Sequence, residues 1–361
     1  MSRKAIVRWL IGLAVSAVFL WLAFRAVNPA EVWQEILGAD QSYLLPAIAC
    51  TTLTQFLRGW RWQLCFERAD RVSFWQANAA YSVGSLSGQT VVPARLGDLV
   101  RVVALSLLHE RVGLRDLVRY VAERNLGALG RYLWERVRTP EAARALGTLV
   151  IERLFDLFAV VLLLTVVLPL FPGLSSWIKI FDGIAAVVAF AVLAVVYVIS
   201  RRTEQLAEPR WVTGRRPLEI GFRLLLQVMK GFSAVRDPRR ALVLLVLSAA
   251  LWLSQTGTYA IAFSAVHIPL GWKEGALTTA VLALTAIIPT GPGFAGSFEL
   301  ATQQLLALFA VDRTLATGYQ EYTRLINLIA SVIYLVVCLA ALKLWPSREP
   351  RPSAQTAPAF D

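Results

Sequence analysis

Six apolar runs recur along this chain: Trp9–Phe24, Tyr43–Phe56, Leu149–Phe171, Trp177–Ser200, Ala241–His267 and Tyr322–Leu344. No single water-soluble core can hide that many. Runs of this length are stable where each segment satisfies its own backbone hydrogen bonds and lipid replaces water, which means helices. Composition agrees, because 57% of the 361 residues are hydrophobic and 17% are charged. Soluble domains carry roughly 45–50% and about 25%. A soluble enzyme, a secreted disulfide scaffold and a disordered chain are excluded. The expected fold is an all-α polytopic membrane protein with about six full transmembrane helices and two broken, re-entrant hairpins.

The net charge is +12, from 36 Lys and Arg against 24 Asp and Glu. In a soluble chain this balance points to nucleic acid. Here the basic residues fall between apolar runs, so they are expected to face anionic headgroups, with no nucleic-acid partner. Cys50, Cys65 and Cys338 are scattered, and His109 and His267 lie far apart. No metal site and no cofactor are expected from such spacing. The pattern GxxxxGK[ST] is absent as well, so direct drive by ATP is not expected.

Charge also sets the expected topology. Arg3, Lys4 and Arg8 precede the first run, which reads as a retained signal-anchor helix. The loop 28–42 has no Lys or Arg and carries Glu31, Glu35 and Asp40, which places it outside. The second run ends at Arg58 and Arg61, and 14 arginines between Arg58 and Arg144 place that region inside. Within it, Val72–Ala94 is 23 residues long and uncharged, yet polar and centred on Gly84 and Gly88. A hairpin that enters and returns fits it better than a span. Residues 275–310 form a second broken segment, interrupted by Pro289-Thr290-Gly291-Pro292-Gly293. Span, broken hairpin and span thus occur at 43–171 and again, entering from the other side, at 241–344, an inverted repeat. Residues 1–345 are read as one integral membrane domain with both termini inside. Interfacial amphipathic helices are expected near 110–145 and 205–238, and a disordered tail at 346–361.

Several charges are placed where lipid would be costly. Glu152, Arg153 and Asp156 open the third run, and the 15 residues after Asp156 are too few to span alone. Glu152 and Asp156 share a helix face and repel, so either a cation is expected between them, from Arg95, Arg101 or Arg324, or one of the two is protonated. Asp98 lies where a helix can begin, and Arg95 and Arg101 flank it as a candidate phosphate clamp. Pro289, Gly291, Pro292, Gly293 and Gly296 supply the backbone of the second hairpin, and Glu299 opens the helix after it. Arg324 follows Glu321 by one turn. The expected headgroup-binding set is Arg95, Asp98, Arg101, Glu152, Arg153, Asp156, Glu299 and Arg324, with no catalytic residue.

These residues together resemble a known family. Arg58-Gly59-Trp60-Arg61-Trp62, Pro93-Ala94-Arg95-Leu96-Gly97-Asp98-Leu99-Val100-Arg101, Glu152-Arg153-Leu154-Phe155-Asp156, Pro292-Gly293-Phe294-Ala295-Gly296-Ser297-Phe298-Glu299 and Arg324 follow the order of the flippase-like transmembrane region of lysylphosphatidylglycerol synthase. The family often reads Pro-Gly-Gly where this chain has Pro292-Gly293-Phe294, and its connector is shorter than 110–145. No soluble aminoacyl-transferase domain is seen in these residues, so lysyl transfer is not expected. The resemblance implies translocation of a phospholipid or lipid-linked headgroup, not enzymatic catalysis, in a bacterial cytoplasmic membrane. The expected partners are membrane lipids, most of all anionic ones, with a second copy of the chain or a lipid-modifying enzyme as further candidates. A membrane-embedded transferase acting on a lipid carrier, and a non-catalytic assembly subunit, are the alternatives.

Overall fold

The computed structural model describes residues 17–25, 27–66, 72–93, 96–109, 140–173, 176–202, 237–288 and 290–344. The expected interfacial helices near 110–145 and 205–238 fall largely outside these residues, and the tail 346–361 does so entirely. Among the described residues the chain is helical, with no strand.

In chain order the helices are α1 (17–24), α2 (Pro29–Leu37), α3 (Leu44–Leu64), α4 (Phe74–Thr90), α5 (Gly97–His109) and α6 (Pro140–Val167). They continue as α7 (Ser176–Arg202), α8 (Pro238–Ala265), α9 (Trp272–Thr285), α10 (Ser297–Ala307) and α11 (Arg313–Leu344). Among the described residues three stretches are long and apolar enough to cross a membrane: Ala145–Leu170 in α6 and its following turn, Pro238–Ala265 and Arg313–Leu344.

Local sequence explains most boundaries. Asn28 accepts a hydrogen bond from Ala30 N at 3.0 Å and Pro29 sits at the first helical position, so part of the expected outer loop is helix α2 instead. Ser73 and Gln76 form a reciprocal cap on α4. Asp237 and Pro238 open α8 in the manner of Asn28 and Pro29.

Four helices from α3 onward are short. With 17 residues in α4, 13 in α5, 14 in α9 and 11 in α10, each falls short of a hydrocarbon core of about 30 Å at roughly 1.5 Å per residue. They pair as hairpins, α4 with α5 and α9 with α10. Glycine makes the first pairing close: a Cβ on Gly97 would meet the Gly84 carbonyl oxygen at 2.5 Å and Gly88 Cα at 3.1 Å.

Two expected boundaries move. Nothing breaks the helix after Phe56, so α3 carries Arg58 and Arg61 inward through Leu64 instead of ending before them. The last helix begins at Arg313, nine residues before Tyr322, which leaves Arg324 within its body. The centre of the bundle is apolar and aromatic, with Phe263 of α8 stacked on Tyr319 of α11 at 4.4 Å. Polar bridges then join helices that lie far apart in sequence. Gln55 and Gln89 both donate to Ser331 Oγ at 2.8 Å, and the Tyr334 hydroxyl meets Asn78 Oδ1 at 2.5 Å.

Candidate functional site

A cavity of about 500 Å³ opens among α3, α4, α5, α6, α8, α9, α10 and α11, where the tips of the two hairpins approach. Its walls hold two separate ionic clusters.

The first cluster joins α3, α5 and α6. Arg61, 1% exposed, reaches Glu152 at 3.3 Å and Asp156 at 2.8 Å, and donates to Ser248 Oγ at 2.8 Å. Arg101 grips Glu152 with two hydrogen bonds, of 2.7 and 3.4 Å, and stacks over the Trp62 ring. Asp98, in the first turn of α5, is held by Arg101 and by Arg153. Arg153 also lies 3.6 Å from Asp156. The like charges of Glu152 and Asp156, one turn apart, are bridged from α3. Such a group is costly to bury and far costlier to leave half-paired.

The second cluster belongs to the other hairpin. Glu299 is fully buried at the start of α10 and accepts from Gly296 N at 2.7 Å. Arg324 of α11, about a third exposed, meets Glu299 at 2.5 Å and both oxygens of Glu321 at 2.8 Å. Two carboxylates thus share one guanidinium. The bend that delivers Glu299 uses left-handed backbone, with φ of 61° at Gly293, 56° at Phe294 and 88° at Gly296. Phe294 adopts this conformation at a steric cost that glycine would not carry, and stacks on Phe298 at 4.7 Å.

Arg58 also lines the cavity, and no carboxylate among the described residues pairs with it. Its guanidinium lies 5.2 Å from the Trp252 ring, and its Nε is buried without an acceptor. Next to the cavity, across Leu157 and Leu284, lies an apolar chamber of about 410 Å³ between α6, α7, α9 and α10.

A family model for the transmembrane region of lysylphosphatidylglycerol synthase matches residues 9–335. The chain belongs to that family. The match runs from before α1 to near the end of α11, so both ionic clusters lie within the lysylphosphatidylglycerol synthase transmembrane region, and the protein is a multi-pass membrane protein. Among curated proteins nothing matches the chain.

Of the residues singled out by sequence, Asp98, Arg101, Glu152, Arg153, Asp156 and Arg324 line the cavity, with Glu299 directly behind Arg324. Gly293 lines it too, whereas Pro292 and Gly296 shape the bend and Gly291 lies at its start. Arg95 and Pro289 lie outside the described residues. The cation expected between Glu152 and Asp156 is Arg61, whereas Arg101 reaches Glu152 and Asp98 but not Asp156. Arg324 is not that cation, because Glu299 and Glu321 hold it elsewhere. Three members of the site went unselected: Arg58, Arg61 and Glu321. The two arginines sit three apart on one helix and precede two intramembrane carboxylates in the chain, which is the signal that could have found them.

Proposed function

We propose that this protein translocates a phospholipid, or another lipid with an anionic headgroup, between leaflets of a bacterial cytoplasmic membrane. The observation that carries this reading is Arg58, a cation lining the cavity with no carboxylate at ion-pair distance among the described residues. A phosphate entering there gains a charge-assisted partner without breaking an existing ion pair. Arg101 and Arg153, already engaged with carboxylates, keep the wall polar and hydrated for a headgroup in transit. Leu157 and Leu284 join this polar path to an apolar chamber, as an amphipathic substrate requires.

In this reading the bundle has six full spans, with α4–α5 and α9–α10 entering from opposite faces as re-entrant hairpins of an inverted repeat, and both termini inside. Their short lengths, and the meeting of their tips at the cavity, favour it. The reading asks for no catalytic group: binding and a change of access suffice. Labelling tests it. Phosphatidylglycerol carrying a photoreactive headgroup should attach to α3, α8 or α11 residues of the cavity in reconstituted wild type, and Arg58→Ala should lose that attachment. Label confined to the outer surface of the bundle would sink the proposal.

A further inference from the structure

The two clusters are unbalanced in opposite directions. Around the first, Arg58, Arg61, Arg101 and Arg153 face Asp98, Glu152 and Asp156, an excess of one positive charge. Around the second, Glu299 and Glu321 face Arg324 alone, an excess of one negative charge. Among the described residues no further charge lines the cavity. α4 presents Gln89 and no charge, α3 presents Gln55 and Arg58, and α8 presents Gln255 and Tyr259. Glu35 of α2 lies against Gly318, but at the bundle surface.

Glu299 Oε1 lies 2.5 Å from Arg324 Nη2, and both Glu321 oxygens accept from Arg324 Nη1 at 2.8 Å, so two carboxylates crowd one cation. Two carboxylates held there repel each other, whereas one carboxyl and one carboxylate do not. Glu299 is fully buried, and among the described residues Arg324 is the one cation that reaches it. A proton on the pair removes the negative charge that Arg324 leaves uncompensated.

Resting on the lipid reading above, we propose that the Glu299–Glu321 pair at Arg324 is a proton-binding site whose occupancy is linked to the anionic headgroup at Arg58. With both sites empty the charges of the described cavity residues sum to zero. An anion alone leaves the cavity with a negative excess and a proton alone with a positive one; both together restore neutrality. That difference is a coupling free energy, so each ligand raises affinity for the other. The headgroup and the proton then travel together, and a proton gradient drives the lipid.

The test uses dihexanoyl phosphatidylglycerol, whose phosphodiester does not itself titrate near neutral pH. Its binding to the purified protein in detergent is followed calorimetrically in buffers of different ionisation enthalpy, which counts protons taken up. Wild type should take up as much as one proton per lipid bound, with affinity falling as pH rises. Glu321→Gln should bind with no proton uptake and with affinity independent of pH; Glu299→Gln serves if that variant does not fold. Wild-type binding with no proton uptake overturns the proton site and leaves the lipid reading standing. Absence of wild-type binding removes the lipid reading, and infrared spectroscopy then decides the proton site alone. A carboxylic-acid carbonyl band that titrates in wild type and vanishes in Glu321→Gln upholds it, and no such band at any pH overturns it.

Discussion

Gly293, at the bend of the second hairpin, rests on the carbonyl of Gln89 at the tip of the first, so close that a Cβ on it would sit 3.2 Å from that oxygen. The same glycine holds φ at 61°, and Arg324 Nε lies 3.8 Å from the place of that Cβ. The two hairpins therefore set each other's position, and the bend that places Glu299 depends on the tip of α4. Gly293→Ala combines a left-handed alanine, costing about 1–2 kcal/mol, with a tight contact. The expected result is a lower melting temperature in detergent together with weaker headgroup binding.

The α4–α5 hairpin is equally intolerant of bulk. A Cβ on Gly84 would meet the Gly97 carbonyl oxygen at 2.6 Å and Arg101 Cβ at 2.5 Å. Overpacking of this kind costs about 1–3 kcal/mol, so Gly84→Ala should destabilise the fold and loosen Arg101 from Glu152. Gly183 of α7 has nothing within 4 Å of its added Cβ. Gly183→Ala should be neutral or stabilise by up to about 1 kcal/mol through helix propensity. Equal melting of the two variants would contradict the hairpin contact.

Arg61 is the cation that bridges Glu152 and Asp156 inside the bundle. Its removal by Arg61→Met leaves Asp156 with only the 3.6 Å contact to Arg153 and should cost about 3–5 kcal/mol. Replacing Asp156 with Leu in the same chain should recover much of that loss, because Arg101 still holds Glu152. Denaturation of the single and double variants measures the difference.

Trp252 holds the one cavity arginine that lacks a carboxylate partner among the described residues. Trp252→Leu keeps an apolar side chain but removes the ring beneath Arg58. A desolvated cation–π contact contributes about 0.5–2 kcal/mol, so headgroup affinity should fall by that amount while the melting temperature changes less than in Arg61→Met.

Much of this arrangement is legible in the chain, and the rest is hidden for physical reasons. The break at Pro292-Gly293 and the first-turn place of Glu299 follow from local backbone chemistry, and both lie where the sequence puts them. That Glu152 and Asp156 need a cation also follows from their spacing. Which cation does not, because Arg61 comes from another helix, 91 positions from Glu152. Arg58 and Arg61 look like the end of a span because arginines usually mark the membrane edge. Here the cost of burial is offset by ion pairing that only tertiary packing creates. Glu321 reads as a simple intrahelical partner of Arg324 until Glu299 arrives from a separate helix.

Lipid exchange in proteoliposomes tests the central claim most directly. Fluorescent phosphatidylglycerol in the inner leaflet is followed as it becomes accessible to a membrane-impermeant quencher, for wild type beside folded Arg58→Ala. The account predicts exchange well above protein-free vesicles, slowed in the variant by the loss of a charge-assisted contact of about 1.5–3 kcal/mol. Exchange no faster than in empty vesicles, or equal rates for wild type and Arg58→Ala, would contradict it.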